Sequence, residues 1–187
     1  MSTEYKIVEE IKYLTKDQIK KFFGRIKDKR DKALFLIMYR YGLRVAEATL
    51  LRFEDVDMEN NLIYIRRVKR GISRQHTLYP DVKRAVKEYF NVRRSGDSLF
   101  TGLRGGLSRS MIQKLFNKYI RKIADMSVHC LRHTCAVHAL DANLDIVDVR
   151  SLLGHRNIQS TMIYAVITDK RRKATDAVLA QEMRVEV

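Results

Sequence analysis

A tyrosine nine residues beyond a glycine-histidine pair, in "SLLGHRNIQSTMIYAVITDK" (151–170), raises the first chemical question of this chain. Tyr164 is either an ordinary packed aromatic or a nucleophile carried on a short segment past the turn at Gly154 and His155. Three further segments hold polar groups that a core does not require. In "YGLRVAEATLL", Arg44 follows the helix-ending Gly42, and Glu47 comes three residues later; alone, the two read as a surface ion pair worth about 0.5 kcal/mol. In "VHCLRHTCAVHAL", His129, Arg132 and His133 interrupt an apolar helix, with His129 and Arg132 on one face. His129 and His133 have a spacing that could hold a metal, but the glutamate of a zinc-protease helix is absent and no close third ligand follows. His133 and His138 read instead as core histidines with satisfied hydrogen bonds. In "RRVKRGIS", Lys69 occupies the loop between two β-rich stretches, crowded by Arg67, Arg70 and Arg74.

Charge suggests what these groups act on. Thirty-seven Lys and Arg against 22 Asp and Glu give a formal net charge of +15. Such an excess repels itself in the folded state and is matched by a polyanionic partner; on nucleic acid a basic face gains from counterion release. The plainer alternative is a solvated lysine-rich surface, as in "IKKFFGRIKDKRDK". A length of 187 residues suits one well-packed domain. One proline, eight glycines and 45% hydrophobic residues read as globular and helix-rich. No apolar run approaches the ~20 residues of a membrane span, and the N-terminus lacks a signal-peptide core. Cys130 and Cys135 are too few for a disulfide framework and suit a reducing compartment. The expectation is a soluble, cytoplasmic protein.

The elements that must position these residues follow from caps and periodicity. Thr15 with Gln18 is a capping-box pattern opening a helix to about Ile26. "DKALFLIMYRYG" is a second, almost wholly buried helix closed by Gly42, and "VAEATLLR" a third. "NLIYIRRV" and "RQHTLYP" flank "KRGIS" as a hairpin or part of a three-stranded sheet. Pro80 and Asp81 stop the strand, and Asp81 is placed to cap "VKRAVKEYFNVRR". After the turn "TGLRGG", Ser108 opens "RSMIQKLFNKYIRKIA". The last third reads as four helices: "SVHCLRHTCAVHALDA", "DIVDVRSLL" ended by Gly154, a short "NIQSTMIYAV", and a separate "DKRRKATDAVLAQEM". The fold class is mainly α with a small antiparallel β-sheet (α+β).

Taken together, "GLRVAE" around Arg44, "HCLRHT" with His129 and Arg132, and "LLGHRNIQSTMIY" with His155 and Tyr164 resemble the tyrosine recombinase/integrase family. Order and spacing match from about Thr15 to Ala180. The nearest likeness is to short invertases that switch fimbrial promoters, which have a similar "IRR-x-K-x-G-x-S" phrase and a similar "LGHRNI" stretch. The resemblance implies the catalytic-domain fold of DNA breaking and rejoining enzymes. Larger members add an N-terminal DNA-binding domain; here residues 1–14 read as an extension before one domain. The N-terminal Met and the likeness to complete invertases favour a naturally small protein over a fragment.

The implied reaction is site-specific strand cleavage and rejoining in integration, excision or inversion. Tyr164 attacks the scissile phosphate to leave a 3′-phosphotyrosyl bond, whose ester stores the bond energy for resealing without nucleotide or other cofactor. The resemblance implies that Arg44 and Arg132 clamp the phosphate oxygens through planar forks, joined by a hydrogen bond from His155. It casts His129 as the proton acceptor for the phenol and Lys69 as the proton donor to the departing 5′-oxygen. Arg67, Arg70, Arg74 and Arg109 are expected to bind DNA. The implied partners are double-stranded DNA, a homotetramer assembled on it from monomers, and DNA-bending accessory proteins; no membrane or metal is expected. Segment 168–187 is expected to dock on a neighbouring protomer through Ala177, Val178, Leu179 and Met183. Two rivals remain at this point: a type IB topoisomerase and a non-catalytic DNA-binding regulator.

Overall fold

The computed structural model describes residues 11–103 and 105–182, with side chains for all of these except 170–172, 174–175 and 177–182. Helix α1 (Lys16–Arg25) opens on the expected capping box: the Gln18 amide donates to Thr15 Oγ1 at 3.2 Å, and the Thr15 amide donates to Gln18 Oε1 at 2.9 Å. Helix α2 (Lys29–Arg40) is capped by Asp28 and ends at Gly42, whose φ of 57° is the left-handed conformation that favours glycine. A Cβ there would also collide with Leu153. Helix α3 (Val45–Ala48) is only four residues long, shorter than the reading of "VAEATLLR".

A 3-10 turn (Phe53–Asp55) leads into an antiparallel sheet of β1 (Val56–Asp57), β2 (Leu62–Ile65) and β3 (Arg74–Thr77), in that order. Ile63 pairs with His76 and Ile65 with Arg74; Ile63, Ile65 and His76 are buried. Pro80 does not end a strand by blocking it. It fills the first turn of α4 (Pro80–Phe90), with Tyr79 in the cap position, because its missing N–H is one that a helix start leaves unpaired anyway. Asp81 is therefore inside the helix and is not its cap. Strands β4 (Thr101–Gly102) and β5 (Gly105–Gly106) form a small hairpin, and Ser108 caps α5 (Arg109–Ile120). Helices α6 (Cys130–Asp141) and α7 (Ile146–Leu153) follow; Gly154 ends α7 in the left-handed conformation.

The last helix departs from expectation. α8 (Gln159–Glu182) is one continuous element. The stretch at Ile167–Asp169 contains no Gly or Pro to break the helix, and the Thr168 hydroxyl turns back onto the carbonyls of Tyr164 and Ala165. The apolar stripe expected at Ala177, Val178, Leu179 and Met183 lies outside the described side chains.

Helix α2 packs against both α4 and α6. The larger core gathers Phe22, Phe35 and Phe116, with ring centroids 5.3–5.9 Å apart. Tyr119 joins them and donates its hydroxyl to the buried Asp31 at 2.8 Å. A second cluster lies between α6, α7 and α8: Ala136, Val137, Leu140, Val149, Leu153 and the ring of Tyr164. Ile11 and Tyr13 pack on this second cluster, and the Leu14 amide donates to Thr134 Oγ1 on α6 at 2.9 Å. Residues 11–14 are thus part of the packed domain, not a free extension.

Candidate active site

Glu47 is the centre of the polar constellation. The four-residue α3 buries it to 1% exposure, and its carboxylate collects donors from three directions. Arg44 Nη1 donates to Oε1 at 2.8 Å and the Arg44 amide to Oε2 at 2.9 Å. Arg67 Nη1 donates to Oε2 at 2.8 Å, and Arg132 Nη1 lies 3.8 Å away. Burial pushes the Glu47 pKa up, but the Arg67 charge and these hydrogen bonds outweigh it, so the carboxyl is held below its usual value. The surface ion pair suggested by the sequence is therefore a buried counter-ion shared by three guanidinium groups.

Arg132 is brought to the same place from α6. Its Nη1 donates to the Gly42 carbonyl and Nη2 to the Leu153 carbonyl at 3.0 Å, at the ends of α2 and α7. Nη2 also reaches His155 Nε2 at 2.6 Å. An arginine only donates, so His155 Nε2 accepts, and the ring proton sits on Nδ1, facing Thr161 Oγ1 at 2.9 Å. Burial, then the Arg132, Arg44 and Arg67 charges, lowers the His155 pKa to about 4. The neutral ring spends both nitrogens on protein and so orients Arg132; the hydrogen bond expected from His155 to phosphate is not offered in this geometry. Burial also lowers Arg132, to about 10, which still leaves it charged at neutral pH.

Tyr164 is 2% exposed, its ring packed in the second cluster and its hydroxyl 2.9 Å from His133 Nδ1. Burial raises the phenol pKa, while Arg132 and Arg44 pull against that rise. The phenol partner is thus His133 and not His129. His129 sits exposed in the cap position at the start of α6, and partial burial of its ring, then the positive charges of Arg132, Arg44 and Lys69, lower its pKa. The sequence reading of His133 as an ordinary core histidine missed this contact. His138 does fit that reading: it is hydrogen-bonded to Tyr39 Oη at 2.9 Å.

Lys69 and Arg70 are exposed at the tip of the β2–β3 turn, both in left-handed conformations (φ 54° and 60°). Arg74 and Arg109 are also exposed, with Arg74 hydrogen-bonded to Ser151. Arg67 corrects its expected role. Its side chain is wholly buried, and its Nη donors go to Glu47 and to the carbonyls of Tyr41, Gly42 and Leu152, so none is presented to DNA.

A pH prediction follows from the buried rings. His76, His133 and His155 have folded pKa values of about 4, in each case chiefly from burial, against ~6.5 in the unfolded chain. Between these values the unfolded chain holds more protons, so stability rises with pH through the window and falls as pH drops from about 6.5 toward 4. Thermal melts at fixed salt should show a lower Tm near pH 5 than near pH 7. A flat Tm over that interval would mean that the rings are not held neutral.

The sequence and the fold have counterparts among known proteins. The phage integrase family model matches residues 12–171. The tyrosine recombinase XerA of Pyrococcus horikoshii is 33% identical over 165 residues, which take in 85% of this chain and 58% of the relative. A crystal structure of XerA recombinase matches with a TM-score of 0.76 at 24% identity, over 94% of this chain and 66% of that one. A structure of XerH bound to a palindromic difH substrate after cleavage matches with a TM-score of 0.77 at 23% identity, over 92% of this chain and 54% of that one. At these identities the structures speak for the fold. The chain spans less than two thirds of the length of the curated relatives it matches.

Proposed function

The chain belongs to the phage integrase family, and from that premise we propose that it cleaves and rejoins DNA at specific sites through a covalent tyrosine–phosphate bond. One observation carries the reading: Arg132 bonds both the Gly42 turn that precedes Arg44 and the imidazole of His155, gathering three distant segments into one cationic cradle beside Tyr164. A phosphodiester entering the cradle meets the Arg44 guanidinium, about a quarter exposed, with the buried Arg132 charge beside it. Both cations are in place before substrate arrives, so they stabilise the extra charge of a pentacoordinate phosphorus without reorganising.

In this proposal Tyr164 Oη forms the bond to phosphorus as the bond from phosphorus to the 5′-oxygen breaks. The phenol proton passes to His133 Nδ1, and Lys69 Nζ gives a proton to the departing 5′-oxygen. His129, beside Arg132 and Arg44 in the electrostatics of the site, is assigned to the phosphate oxygens as a neutral donor. His133 thus takes the proton-acceptor role inferred for His129, and His129 the phosphate contact inferred for His155. Arg70, Arg74 and Arg109 supply exposed positive charge for the flanking phosphates. The site geometry is common to inversion, excision and integration, and the likeness to fimbrial invertases rests on the phrases around Lys69 and His155 alone. Assembly into a tetramer on DNA is part of the same proposal.

The test is a nicked duplex whose cleaved end diffuses away and so traps the adduct. Incubated with EDTA and without nucleotide, the protein should acquire a DNA adduct whose tryptic peptide carries the modification on Tyr164. An adduct on another residue, or none in the presence of EDTA, would overturn the reading.

A further inference from the structure

We infer that Arg67 is a positioning residue that fixes Lys69 for proton transfer, by welding the β2–β3 turn to the arginine cradle. Lys69 stands on a turn whose base is fastened at each side. On the near side, the Arg67 guanidinium is buried against Glu47, Tyr41 O and Leu152 O, the Arg67 amide donates to Ser73 Oγ at 2.9 Å, and the Val68 amide donates to Glu47 Oε1 at 3.3 Å. On the far side, the Ile72 amide donates to the Gly154 carbonyl at 3.1 Å, one residue before His155.

Two glycines make the fit. A Cβ on Gly154 would lie 2.8 Å from Arg67 Cγ, and one on Gly71 would lie 2.8 Å from Arg67 Cβ and 3.0 Å from the Gly154 carbonyl. The turn therefore wraps the Arg67 stem and seats it on the α7–α8 corner. Between these anchors Lys69 and Arg70 hold left-handed backbone that neither residue type favours. A free loop would relax from it; a loop fastened at Arg67, Val68 and Ile72 cannot. The same Glu47 carboxylate that orients Arg44 thus also sets where the Lys69 ammonium stands. The clamp on the phosphate and the donor to its leaving oxygen share one reference point.

This rests on the reading of Lys69 as the proton donor, and the experiment separates the two. Single-turnover cleavage is measured on an ordinary nicked substrate and on one with a 5′-bridging sulfur, whose thiolate leaves without a proton. Arg67→Lys keeps the charge but loses the fork, and should cut ordinary cleavage by about 100-fold, the scale of an ångström misplacement, while cleaving the sulfur substrate at the native rate. An equal loss on both substrates would overturn the inference, since Arg67 would then serve the clamp or the fold; native cleavage of both would overturn it as well. Lys69→Ala is the control. If sulfur fails to restore that variant, the assignment of the donor falls, independently of Arg67. Should thermal melts show Arg67→Lys unfolded, Ser73→Ala decides: it removes the acceptor of the Arg67 amide at the base of the turn without touching the Arg67–Glu47 pair, and the same selective rescue is expected.

Discussion

Replacing Tyr164 with phenylalanine is expected to give a folded protein that binds DNA and forms no covalent adduct with it. The substitution removes one oxygen from a ring whose carbon skeleton is packed among Val137, Leu140, Val149 and Leu153, so the second core keeps its shape. The lost hydrogen bond to His133 costs about 1 kcal/mol, the usual net value. The chemical loss is of a different order. Without the phenol there is no atom to form the phosphate ester, and removal of a nucleophile lowers turnover on the order of 10⁶-fold. Mobility shift and adduct yield on a nicked substrate separate the two effects. Adduct formation at the native rate by Tyr164→Phe would place the nucleophile elsewhere. Three other tyrosines are poorly suited: Tyr41 and Tyr89 are in the larger core, and Tyr119 is tied to Asp31.

Glu47→Ala should be the most damaging change to the fold at the site. Removing this carboxylate leaves the Arg67 and Arg132 guanidinium groups buried together, with Arg44 beside them and no counter-ion. Breaking a buried pair from one side costs about 3–5 kcal/mol, a large fraction of a typical stability of roughly 5–15 kcal/mol. The Tm should fall by roughly 10 °C for a domain of this size, and cleavage should be lost with it. Glu47→Gln should keep much of the packing and lose the charge, giving a smaller fall. A urea midpoint for Glu47→Ala within the range of exposed ion-pair variants would show that the carboxylate is no more than a surface partner of Arg44.

What could be read in the sequence divides along the range of the forces. The capping box at Thr15, the helix ends at Gly42 and Gly154 and the Ser108 cap are local, fixed by residues three or four apart, and each is found in place. The gathering of Arg44, Arg132 and His155 followed from the motif resemblance. The burial of Glu47 did not follow, because a Glu three residues after an Arg looks the same on a surface as in an interior; its only sequence signal is its apolar setting in "VAEATLL". Arg67 was read as a DNA contact for the same reason. The choice between His129 and His133 depends on which side of α6 faces α8, a packing angle that one helix does not encode. The continuity of α8 was hidden by polarity: the stretch at Thr168 and Asp169 looks like a break between two helices until the Thr168 hydroxyl is seen bonded within one.

The carbonyls that hold the two buried arginines belong to helix ends: Tyr41 and Gly42 close α2, and Leu152 and Leu153 close α7. A helix leaves these groups without partners and gathers partial negative charge there. Arg67 and Arg132 fill both needs, so each guanidinium is a stopper for two helices, and Arg132 is at the same time part of the proposed cradle. Cooperative unfolding units are set by such shared bonds. The amides of the last turns of α2 and α7 should therefore exchange with solvent as one unit with the site, and no partly open form keeps a charged cradle while its helix ends fray. The usual tension, in which a reactive site weakens its scaffold, is inverted in this corner of the molecule: the buried cations around the candidate site also keep the two helices shut.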